Sequence, residues 1–200
     1  DLVIANGHVD DLVHIGAAFY MPPQYYRNIG GRFVERLGAD VGDYFQRKLL
    51  GRGLALIDYN RDGKEDFVVS HLDQPVSLIE NQSENAGHYL AVKIVAKSSA
   101  RDGVGTSVTV INGESKRIRQ VTAGSGYQAS NESQLIFGLG SHKQVKRIEV
   151  RWPNGKTETY AGIKSDQKIS IIEGAGYFSL PLENQRPKNI DETGSSNPAQ

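Results

Sequence analysis

Two hundred residues suit one domain or two small ones, and 23 basic side chains balance 23 acidic ones. That balance argues against a general nucleic-acid or anionic-membrane partner. The absence of cysteine excludes a disulfide framework, a Cys-ligated zinc site and a thiol nucleophile. No stretch approaches about 18 consecutive apolar residues, so no membrane span is expected, and no signal peptide is visible. The sequence opens at Asp1 in mid-pattern and reads as a C-terminal piece of a longer chain. With 22 glycines and more Tyr than Phe, the composition favours short strands and turns over long helices.

In chain order, Leu2-Val3-Ile4 reads as a short buried strand. Residues 17–45 are aromatic, with Pro22-Pro23 and Gly30-Gly31 breaking them into turns and a strand expected at Phe33–Leu37. Leu54–Ile57 and Phe67–Ser70 are apolar runs flanking an acidic loop, and Val76–Ile79 follows. From Tyr89 the strands lengthen: Tyr89–Ala96, Thr106–Ile111, Arg117–Thr122 and Leu135–Phe137. Next come the alternating Ile148, Val150 and Trp152, then Thr157–Tyr160 and Lys168–Ile172. Asn112-Gly113 and Asn154-Gly155 stand where hairpin turns need positive φ. Beyond Gly174 periodicity is lost, and residues 175–200 are expected to be a flexible tail. A partial internal repeat is also present. Asp1-Leu-Val-Ile-Ala5 parallels Asp66-Phe-Val-Val-Ser70, and each is followed by a run ending in Asn, at Asn28 and Asn81. Such units cannot bury their own faces and are expected to stack.

The acidic loop carries the sharpest chemistry. Oxygen side chains alternate at Asp58, Asn60 and Asp62; Gly63 follows where the chain must turn, and Asp66 closes the set. Calcium takes six to eight oxygens at about 2.3–2.6 Å. The expected ligands are the side chains of Asp58, Asn60, Asp62 and Asp66 and the backbone carbonyl of Lys64. An EF-hand needs a Glu at loop position twelve, where Val69 stands, and helical flanks, where strands are expected. The competing reading is a set of Asx-turns that needs no metal.

Gly51-Arg-Gly-Leu-Ala-Leu-Ile-Asp58, the acidic loop and Asp66-Phe-Val-Val69 resemble an FG-GAP/VCBS repeat, and Asp1–Val9 resembles the tail of a preceding one. Ser99-Ala-Arg-Asp-Gly-Val-Gly105, Ala123-Gly-Ser-Gly-Tyr127, Phe137-Gly-Leu-Gly140, Val150-Arg-Trp-Pro-Asn-Gly155 and Asp166-Gln167 resemble the ASPIC/UnbV domain. The order of parts resembles the C-terminus of the cartilage acidic protein family. The resemblance implies an all-β chain. Partial β-propeller blades with a calcium loop would span residues 1–86, and a small antiparallel β-sandwich or barrel-like domain residues 87–174. It also implies export, to the periplasm, the cell surface or the medium, and a recognition or adhesion role. Asn60, where many family loops have Asp, should weaken calcium binding without abolishing it.

Other constellations carry less. None of the five histidines falls in a metal-ligand spacing. Ser125 lacks the G-x-S-x-G elbow, and Gly138-Leu-Gly140 lacks the third glycine and the helix of a phosphate loop. Trp152 alternates with core positions, leaving a sugar-stacking platform as its minority reading. Arg117 and Arg119, with Lys116, Lys143, Lys146, Arg147 and Arg151, form basic clusters; Tyr127, Trp152, Arg117 and Arg119 are the candidate ligand surface. The expectation is a non-enzymatic, calcium-stabilised module with an unknown protein or polysaccharide partner. Carbohydrate binding or service as an accessory domain of an exported enzyme is the alternative, and RNA binding through the basic face a lesser one.

Overall fold

The computed structural model describes residues 1–180; of the tail expected at 175–200, residues 181–200 lie outside the described residues. In chain order the strands are β1 (Leu2–Ile4), β2 (Gln24–Ile29), β3 (Arg32–Arg36), β4 (Gly51–Ile57), β5 (Asp66–His71), β6 (Ser77–Ile79) and β7 (His88–Val95). They continue as β8 (Ser107–Asn112), β9 (Ser115–Gln120), β10 (Gln134–Gly140), β11 (Gln144–Arg151), β12 (Thr157–Lys164), β13 (Gln167–Ile172) and β14 (Gly176–Leu180). The described residues are all-β apart from three short helical turns, at Val13–Ile15, Gly38–Val41 and Asp43–Gln46.

The first half holds two three-stranded sheets, ordered β1-β2-β3 and β4-β5-β6. Phe45, Phe67 and Val69 form their shared core, with Val3, Tyr25, Leu54 and Ile79 packed against it. The internal repeat recurs in the hydrogen bonding. Asp1 Oδ1 accepts the N–H of Asn28 at 2.8 Å, and Asp66 Oδ1 accepts that of Asn81 at 2.7 Å. In each unit an aspartate at the head of a strand ties down the neighbouring strand's far end. Among the described residues no sheet closes into a barrel and no complete propeller forms.

The second half is two four-stranded sheets, ordered β10-β7-β13-β14 and β12-β11-β8-β9. Alternation drives their packing. Val108 and Val110 of β8, Ile148 and Val150 of β11, Leu90 and Val92 of β7, and Ile169 and Ile171 of β13 all point into one core, which also holds Trp152 and Phe137. Three features differ from the sequence reading. The domain is not wholly antiparallel: β13 runs parallel to β7, from Gln167 opposite Leu90 to Ile172 opposite Val95. This strand arrives by crossing from β12 in the other sheet, and a crossover permits parallel pairing. The glycines at 174 and 176 shape a hairpin turn instead of ending the domain, so β14 pairs with β13 through Leu180. The β8–β9 turn centres on Gly113-Glu114, since Asn112 pairs with Ser115.

Candidate functional site

The acidic loop joins β4 to β5, whose pairing brings Ile57 opposite Asp66 and so sets the two ends of the loop side by side. Asp58 is 3% exposed and Asp66 is fully buried. Asn60 Oδ1 accepts the N–H of Asp62 at 3.1 Å, and Asp62 Oδ1 accepts that of Lys64 at 2.9 Å. These are two consecutive Asx-turns, each satisfying the backbone two residues on. Asp58 Oδ2 accepts the N–H of Gly63 at 3.2 Å, and Asp66 Oδ2 accepts that of Tyr59 at 2.9 Å.

Electrostatics separate the carboxylates. Burial pushes the Asp58 carboxyl above the usual range, against the Gly63 hydrogen bond, and Asp62 pushes it further. Burial likewise raises Asp66, opposed by the N–H groups of Asn81 and Tyr59. Asp62 Oδ2 meets Lys64 Nζ at 3.0 Å and Asn60 Nδ2 at 3.1 Å. Among the described residues no three His, Cys, Asp or Glu side chains converge as a metal-holding group. The reason lies in these commitments: Asp62 is turned to Lys64, and both oxygens of Asp66 face backbone amides. One oxygen has no such commitment. Asp58 Oδ1 is buried and has no hydrogen-bond partner, although an unpaired buried carboxylate oxygen is costly. The donor chemistry and this orphaned oxygen fit a hard cation. Closing the set needs Asp62 to exchange Lys64 for the ion.

The loop is also seated on the second half of the chain. Gly63, at φ +80°, lies against Tyr89, and a Cβ there would stand only 2.3–2.4 Å from the ring carbons. Glu65 takes both ends of the Arg119 guanidinium, at 2.7 and 3.0 Å. Glu132 binds Arg61 through one carboxylate oxygen and the N–H of Asp58 through the other, while Asn131 Oδ1 accepts the N–H of Leu56 at 2.9 Å. Burial first, then the charges of Asp58, Asp166 and Asp62, raises the Tyr89 phenol. A cleft of about 270 Å³ lies at this seam, lined by Asp58, Glu65, Arg119, Glu132 and Gln134. Gln134 points away from the sandwich core, yet both its amide atoms are buried without a partner.

The sequence-derived candidates scatter. Arg119 is drawn to the acidic loop by Glu65. Arg117 sits beside it on β9, on an exposed strand. Tyr127 is 65% exposed, in the segment between β9 and β10. Trp152 is 1% exposed, so it offers no surface: its alternation with Ile148 and Val150 carries it into the core, and the sugar-stacking reading loses its indole. Sequence reasoning missed Tyr89, Glu132, Gln134 and Glu173. Only Glu173 carries a local signal, a carboxylate directly after the apolar run Ile169–Ile172. Its Oε2 accepts the N–H groups of Lys97 and Ser98, both at 2.8 Å, and its Oε1 the amide of Asn154 at 2.7 Å.

Residues 96–177 match the family model described as ASPIC and UnbV, which covers β8 to β13 and leaves out β7, a central strand of the same core. The chain is 27% identical over 150 residues to cartilage acidic protein 1 of Mus musculus, covering 74% of this chain and 23% of that protein. It is 27% identical over 150 residues to the Homo sapiens protein of the same name, covering 74% and 22%. For the Xenopus tropicalis protein the figures are 30% over 130 residues, 64% and 20%. The chain thus spans about a fifth of the length of the curated relatives it matches. No helix among the described residues is long and apolar enough to cross a membrane. The second half thus carries an ASPIC/UnbV domain, matched over residues 96–177, in a chain weakly similar to cartilage acidic protein 1.

Proposed function

We propose that this chain is a calcium-binding, non-enzymatic recognition or adhesion module of an exported protein, with a structural cation in a loop of the FG-GAP/VCBS type. Asp58, Asn60, Asp62, the Lys64 carbonyl and Asp66 would hold the ion. The observation that carries the reading is the buried, unpartnered Oδ1 of Asp58, in a loop whose oxygen side chains alternate. The cation would compensate carboxylates that burial otherwise disfavours. Because the same loop carries Gly63, Glu65 and Arg61, fixing it also fixes the seam with the sandwich. A partner surface spanning that seam would be held rigid, which lowers the ordering cost of binding. The weak similarity to cartilage acidic protein 1 supports placement outside the cytoplasm.

The test is the thermal midpoint of the chain with calcium and with EGTA, beside Asp62→Ala. A ligand at a hundredfold excess over its Kd stabilises the native state by about 2.7 kcal/mol. Calcium is expected to raise the midpoint of the native sequence and not that of the variant. No response from either reduces the loop to its Asx-turns.

A further inference from the structure

A second polar site lies at the edge of the sandwich where β9 of one sheet faces β10 of the other. On β9 the side chains of Ser115, Arg117 and Arg119 lie opposite Asn112, Val110 and Val108, whose side chains point inward. The two arginines therefore overhang the seam instead of facing out with Lys116, Ile118 and Gln120. Their fates differ. Arg119 is neutralised by Glu65. Arg117 has no hydrogen-bonding or acidic partner among the described residues, and its guanidinium lies over Gly138, Nη1 being 3.4 Å from where a Cβ would stand. A cavity of about 220 Å³ opens there, lined by Arg117, Ser115, Asn112, Gly138, Ser141 and His142, with no carboxylate in its wall. The β10 backbone at this point carries a register shift between Gly138 and Gly140, as a bulge does where it re-aims groups near a site.

We infer that this seam binds an oxyanion. Arg117 supplies the fork, Ser115 and Ser141 supply hydroxyl donors, and His142 supplies a ring N–H. A guanidinium meets a tetrahedral or planar oxyanion through two parallel N–H bonds, and the glycine beneath it leaves room for the anion to sit against the strand. The site does not depend on the acidic loop and stands whether or not that loop takes calcium.

The probe is sodium sulfate at constant ionic strength, followed through the amide resonances of Ser115, Ser141 and His142. The native chain should shift saturably at these residues. Arg117→Gln should weaken binding about tenfold or more, the loss usual for a hydrogen bond to a charged group. Lys116→Gln, on the opposite face of the same strand, should change it less than about twofold, since an exposed charge acts only through screened attraction. A sulfated disaccharide run in parallel identifies the source of the anion: tighter binding than inorganic sulfate points to an ester on a glycan, equal binding to the free ion, and both uphold the site. Linear, unsaturable shifts, or equal losses from the two variants, would overturn it. Arg117 would then serve only as an inward charge that blunts an edge strand against self-association. If Arg117→Gln does not fold, the native titration decides by whether its shifts gather on these three residues or elsewhere.

Discussion

Replacing Gly63 by alanine measures how closely the acidic loop is seated on the sandwich. Two costs combine. Gly63 holds φ +80°, and an L side chain in that region costs about 1–2 kcal/mol. The new methyl would also clash with the Tyr89 ring at 2.3–2.4 Å, and overpacking of this kind costs about 1–3 kcal/mol. The expected loss is therefore about 2–5 kcal/mol, summing those two costs. The decisive design is a double-mutant cycle by urea denaturation in EGTA, with Tyr89→Ala as the second arm. Without the ring only the backbone cost remains, so the penalty for Gly63→Ala should fall to about 1–2 kcal/mol. An equal penalty in both backgrounds would refute the reasoning, because the loop would then not be resting on Tyr89.

Three further outcomes follow from the same structure. Glu173 is held at about 2, against an ordinary 4.5, by the N–H groups of Ser98 and Lys97 and by Asn154. A depressed carboxylate contributes stability above its unfolded value and loses it as pH falls through the folded one. Urea midpoints should therefore drop between about pH 5 and pH 2 in the native chain and more shallowly in Glu173→Gln. The Arg119–Glu65 pair has side chains 41% and 30% exposed, so a cycle of Arg119→Met and Glu65→Gln should give a coupling of only about 0.5–1 kcal/mol, smaller in high salt. Ile148→Ala, at a fully buried position between the sandwich sheets, should cost about 2–5 kcal/mol in urea denaturation.

Period-two alternation made much of the sandwich legible. Spacing alone puts Ile148, Val150 and Trp152 in the core, and there they lie. What alternation cannot encode is which strand a given strand pairs with, so the parallel seat of β13 beside β7 was invisible. The loss of periodicity after Gly174 marks the end of the domain in the sequence, whereas β14 lies beyond it. The short apolar run Leu135–Phe137 is a strand covered on both faces: Leu135 and Phe137 enter the core, while Ile136 and Gln134 are covered where β4 and the acidic loop cross. The loop was legible because its oxygens alternate over nine positions. Its seat was not, since Arg119 and Glu132 stand 54 and 74 residues away from the groups they hold. No local pattern announces such partners.

Direct calcium stoichiometry by equilibrium dialysis tests the central claim most plainly. One calcium per chain is expected in the native sequence, with a Kd on the order of 10⁻⁴–10⁻³ M as in extracellular modules, and at least about tenfold weaker binding in Asp62→Ala. No saturable binding up to about 10 mM, well above that range, would contradict it and leave Asp58, Asn60, Asp62 and Asp66 as a turn.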